Sequence, residues 1–77
     1  MNTQAIETVD QAINVCKQGE KILQWLGDGR ATYLHFLGNE FLAFHYIYNE
    51  FGEPKFIGIE HWSENVARFA LTARFSI

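Results

Sequence analysis

The sequence predicts a small α+β protein: a four-stranded antiparallel β-meander with an N-terminal and a C-terminal helix packed on one face, in the order α-β-β-β-β-α. Three observations lead there. The run FLAFHYIY at 41–48 is apolar, aromatic or histidine throughout and is bounded by turn residues, as in a strand covered on both faces. Two dipeptides, Asp28-Gly29 and Gly38-Asn39, stand between apolar runs, where two-residue hairpin turns belong. Helical apolar spacing is sustained over several turns towards the two ends of the chain.

Residues 3–18 read as the first helix. Ile6, Val9, Ala12, Ile13 and Cys16 form one face, and Glu7, Asp10, Gln11 and Asn14 largely the other. Asn2 or Thr3 is placed to cap its start, and Gly19 to end it in a left-handed turn. Residues 20–26 fit either period, and the Asp28-Gly29 turn that follows favours a strand over a second helix. RATYLHFL at 30–37 is a strand, 41–48 returns beside it, and the turn NEFGEP leads to the last strand, KFIGIEHW at 55–62. Ser63 caps a closing helix over 64–75, with Val66, Phe69, Ala70 and Ala73 as its apolar stripe. The 77 residues contain no linker or repeat and read as one domain, 1–77.

The two turns also set a register. Phe36 pairs with Phe41, Leu34 with Ala43, Thr32 with His45, Trp25 with Thr32 and Leu23 with Leu34. In the last strand, Ile47 is expected opposite Phe56 and His45 opposite Gly58. Side chains then divide into two faces, both apolar. Leu23, Trp25, Leu34, Phe36, Phe41, Ala43, Ile47, Phe56, Gly58 and Trp62 form the first. The second holds Tyr33, His35, Leu42, Phe44, Tyr46, Tyr48, Ile57, Ile59 and His61, together with Ile22, Leu26 and Leu37. Four strands span about 19 Å and a helix about 10 Å, so two helices roof one face and leave the other bare. The first face, where Ala43 and Gly58 admit close approach, is the one expected under the helices.

Composition narrows function by exclusion. Six Lys and Arg against nine Asp and Glu give a net charge of -3, unfavourable for a phosphate backbone. Tyr33, Phe44, Tyr46 and Tyr48 form a platform that could stack bases, but Arg30 and Lys55 sit at turns and Arg68 and Arg74 on a helix, so nucleic acid is not the expected partner. A single cysteine excludes an internal disulfide, and the N-terminal run has no apolar segment of a signal peptide. No run reaches the ~18 apolar residues of a membrane helix, and the cytoplasm is the default compartment.

No catalytic residue, metal ligand or cofactor site is expected. His35 and His61 lie opposite Leu42 on flanking strands, about 10 Å apart, and His45 points to the other face. Glu60 is a diagonal neighbour of His45, a pair without nucleophile or oxyanion donors, and reads as structural. Cys16 reads as core. The expected function is a non-enzymatic interaction module, homodimeric through the second sheet face. An alternative is a ligand pocket or minimal enzyme site between subunits, using Tyr33, Tyr46, His35 and His61. A third reading is a regulator or inhibitor that grips a larger protein through Glu50 and Glu53, or Asp28.

Overall fold

A computed structural model describes residues 6–75. The elements are α1 (Val9–Lys17), β1 (Ile22–Gly27), β2 (Arg30–Leu37), β3 (Glu40–Tyr48), β4 (Pro54–Trp62) and α2 (Glu64–Thr72). The strands form one antiparallel sheet in sequence order, so the meander is as expected and residues 20–26 contribute a strand. Both hairpin turns have two left-handed residues: Asp28 and Gly29 at φ 54° and 72°, Gly38 and Asn39 at φ 58° and 64°. This is the turn whose twist matches that of paired strands, and Asp, Asn and Gly tolerate it best.

The central hairpin pairs as the turns dictate, with Phe36 opposite Phe41, Leu34 opposite Ala43 and Thr32 opposite His45. The outer strands each slip by one residue. Trp25 faces Thr32 as expected, but Leu23 faces Tyr33 and Ile22 faces Leu34. Gln24 is the extra residue of a β-bulge, and the slip exchanges Ile22 and Leu23 between faces. On the other side His45 faces Gly58, but Tyr46 faces Phe56 and Ile47 faces Lys55, with Ile57 the extra residue. Phe56 therefore belongs beside Tyr46, and not beside Ile47 as expected from the sequence.

Both helices cover the side of Leu34, Phe41 and Ala43. α1 packs on β1 and β2, α2 on β3, β4 and α1. Ala12, Ala43 and Ala67 are fully buried, and their small side chains let these layers approach. Ile13, Cys16, Ile22, Leu34, Phe41 and Leu71 fill the core between them. Gly58, expected to admit a helix, has open space above it, because the helices do not reach that far. Nine helical residues span about 14 Å and nine strand residues about 30 Å, so the sheet outruns its roof.

Two helix readings need correction. α1 begins at Val9, because Thr8 and Gln11 form a capping box: the Gln11 amide donates to Thr8 Oγ1, and the Thr8 amide to Gln11 Oε1, both at 3.2 Å. The expected caps Asn2 and Thr3 lie outside the described residues. Gly19, at φ 101°, ends the helix as expected. α2 starts after Ser63, whose Oγ accepts from the Val66 amide, and it buries Ala67 and Leu71 with Phe75 beyond. Val66 and Phe69 face outward instead, at 46% and 82% exposure. Stripes at 66/69/70/73 and at 67/71/75 both have helical spacing, and the second is the one buried, with Ala67 and Leu71 at 0% exposure.

The bulge at Gln24 has a packing role. It turns the side chain so that Nε2 donates to the Ala70 carbonyl at 2.8 Å, one of the last-turn carbonyls of α2. Arg74 donates to the Leu23 carbonyl beside it. Lys17 and Arg68 both bond Glu64, and Arg68 bonds Asp10, which ties the antiparallel helices together along their outer side.

Candidate functional site

The face away from the helices is built from alternate residues of all four strands. Leu23, Tyr33, Phe44 and Ile59 form its central row. His35, Leu42 and His61 form the row on one side, and Tyr46 with Phe56 the row on the other. Tyr33 meets Tyr46 edge-on with ring centroids 5.8 Å apart, Tyr46 meets Phe56 at 5.6 Å, Phe56 meets Phe44 at 6.1 Å, and Phe44 meets His35 at 4.7 Å. The rings form one continuous array, with the Tyr33–Tyr46 and Tyr46–Phe56 contacts in the edge-to-face arrangement that their quadrupoles favour. No helix covers it: Phe56 is 49% exposed and Ile59 46%, while Tyr33, Leu42, Phe44, Tyr46 and Tyr48 are half-buried.

Electrostatics on this face are mild. Desolvation, and then the Lys21 cation, hold the His35 imidazole below its ordinary pKa. Lys21 Nζ lies 4.8 Å above the Tyr33 ring. Desolvation and the Tyr33 hydroxyl hold the Tyr48 phenol above its usual range. His61 Nδ1 is 3.0 Å from Glu40 Oε1 at the rim. Tyr33, Tyr46 and Tyr48 line a hollow of about 190 Å³ with Lys21 and Pro54, below the usual size of a ligand pocket. His35 and His61 lie outside that hollow.

The expected face residues therefore come together, except Ile57. The slip in β4 moves Ile57 into a cavity on the helix side, lined also by Trp25, Thr32, His45 and Glu60, and puts Phe56 in its place. Glu53 is held inside its own loop: Asn49 Nδ2 donates to Glu53 Oε1 at 2.9 Å, and Asn49 Oδ1 accepts from the Phe51 and Glu53 amides. Glu50 is exposed on the same loop, and Phe51 beside it is 80% exposed.

The helix side carries a second group of residues, larger than the His45–Glu60 pair that the sequence predicts. Beyond the reach of the helices, Thr32 Oγ1 lies 2.9 Å from His45 Nδ1, and His45 Nε2 lies 2.6 Å from Glu60 Oε1. A carboxylate can only accept, so Nε2–H donates to Glu60, and in the neutral imidazole Nδ1 then accepts from the Thr32 hydroxyl. The Thr32–His45 pairing was legible from the turn register, and Glu60 from its diagonal position. Trp25, which walls the same cavity, was legible from register too, since the Asp28-Gly29 turn sets it opposite Thr32.

Cys16 is buried with Sγ 3.5 Å from the Leu34 carbonyl, and burial pushes its thiol up to about 11. Among the described residues, no three His, Cys, Asp or Glu side chains group as a metal site would need, and no helix is long and apolar enough to cross a membrane. No protein-family model matches the chain, and comparison with curated proteins and with solved structures gives no match.

Proposed function

We propose that the protein is an interaction module that works as a homodimer through its open sheet face. The observation that carries this reading is the aromatic array of Tyr33, Phe44, Tyr46 and Phe56, left half-exposed while both helices lie on the opposite side. A face about 19 Å wide and about 30 Å long presents roughly 600 Å² per copy. Two copies then bury about 1,200 Å², the lower bound for a specific, stable interface. The centre of the face is apolar, and its polar groups Lys21, Glu40 and His61 lie towards its rim, which is the layout of a protein interface. A two-fold axis near Phe44 brings the same rows together, and tyrosine hydroxyls at the edge remain within reach of water.

Sedimentation equilibrium across a dilution series tests this. The expected mass is about twice 8.9 kDa at micromolar concentrations, falling to the monomer on dilution, with Phe44→Glu and Tyr46→Glu monomeric throughout. A folded monomer at every concentration, unchanged in stability by Phe44→Glu, overturns the reading.

A further inference from the structure

We infer that the uncovered end of the helix side binds a small planar aromatic carboxylate carrying a hydrogen-bond donor across its ring. Of the aromatic array on the open face, this site shares Tyr46 alone. The site is a cavity of about 380 Å³ lined by Trp25, Arg30, Thr32, His45, Ile57 and Glu60, within the range of small-ligand pockets. Its apolar wall is built. A Cβ on Gly27 would stand 3.3 Å from Trp25 Cζ2 and 3.6 Å from Cε2, so the indole lies along its own strand over the missing side chain. Trp25 is 45% exposed, a large aromatic surface held in place beside polar groups.

The two ends of the cavity differ in charge. Arg30 and Lys55 both lie opposite Ile47, one on each side of it, and neither forms an ion pair among the described residues. Glu60 lies opposite Ala43, four residues away along β3, or about 13 Å. One end therefore attracts an anion, and a guanidinium matches a carboxylate with two parallel donors. The other end offers acceptors only. His45 has both nitrogens engaged, Thr32 donates its hydroxyl proton to Nδ1 of the neutral imidazole, and Glu60 keeps a second oxygen free of His45. What remains for a ligand there is lone pairs on Thr32 and Glu60, which require an N–H or O–H donor. Between the ends, Trp25 and Ile57 require an apolar, flat body.

The test is a two-dimensional amide and indole NMR titration with 4-aminobenzoate, benzoate and aniline. 4-Aminobenzoate is expected to give saturable shifts at the Trp25 indole, Thr32 and His45, with benzoate and aniline each at least about fivefold weaker. Arg30→Gln is expected to weaken 4-aminobenzoate and benzoate about tenfold and leave aniline unchanged; Glu60→Gln weakens 4-aminobenzoate and aniline and spares benzoate. Both positions are exposed, so the variants are expected to fold, and the unliganded spectra check this directly. No saturable shift up to about 10 mM overturns the inference. So do shifts confined to Phe44 and Phe56, or equal losses for all three probes in both variants.

Discussion

The two faces of this sheet are both apolar, yet they meet water in different ways. On the helix side the strand residues under the roof are sealed, with Leu34 and Ala43 at 0% exposure and Phe41 at 2%. On the other side larger side chains stay half-open, Phe56 at 49% and Ile59 at 46%. Hydrophobicity does not distinguish the faces, but cover does. On the helix side Ala43 of the sheet and Ala12 and Ala67 of the helices, all at 0% exposure, leave room for the second layer to close over Leu34 and Phe41. On the open side Tyr33, Phe44, Tyr46 and Phe56 pack ring against ring within the sheet's own layer, with no second layer above them.

Truncation inside each face gives the largest contrast. Leu34→Ala is expected to cost about 2–5 kcal/mol in urea unfolding, independent of protein concentration, because it opens a cavity under α1. Phe44→Ala is expected to act differently: the wild-type midpoint rises with concentration, and the variant loses that dependence. Equal and concentration-independent losses at the two positions would erase the distinction between the faces.

A smaller effect is expected where the sheet edge meets the roof. Gln24→Ala removes the bond to the Ala70 carbonyl, which still accepts from the Ala73 amide at 3.3 Å. The loss is about 1 kcal/mol, and amide exchange is expected to rise in the last turn of α2 with the β2–β3 hairpin unaffected. A change spread evenly over the sheet would mean that the bulge matters for register and not for the helix.

Acid acts on the faces by different groups, with still smaller effects. On the open face, the folded pKa of His35 is depressed, so the unfolded chain takes up a proton first as pH falls. Its contribution is complete above the ordinary histidine value of 6.5 and is lost as pH falls through it towards the folded value. A pH series of unfolding midpoints is expected to flatten in that window for His35→Asn. On the helix side, hydrogen bonds from Lys17 and then Arg68 hold Glu64 below its ordinary value of 4.5. That contribution is present above 4.5 and lost as pH falls through the folded pKa; Glu64→Gln abolishes it, and salt weakens it because the pairs are exposed. A His35 step that survives substitution assigns the transition to another group.

The centre of the sheet was legible because its turns state their own geometry. Asp28-Gly29 and Gly38-Asn39 permit only one tight hairpin each, and the register of β2 on β3 follows from them. The outer strands were less legible, since a bulge adds one residue without changing composition. Gln24 gave a partial signal, as the one polar side chain within ILQWL, where burial demands a partner. Ile57 gave none, and Phe56 and Ile57 exchanged faces. The start of α1 was written in Thr8-Val9-Asp10-Gln11, a capping box that outcompetes the longer apolar period before it. In the cavity, the Thr32–His45 pair could be read from register, but the placement of the Trp25 indole over Gly27 depends on packing that no spacing encodes.

The single cysteine, buried where α1 meets β2, turns the fold into its own stopwatch. A thiol with a pKa near 11 and no access to solvent is silent to alkylating reagents while the roof is shut. It becomes reactive only in molecules whose helix has lifted off the sheet. Labelling rates at fixed pH then count those excursions without any introduced probe. Comparing rates at low and high protein concentration asks whether association across one side of the sheet slows the breathing of the other.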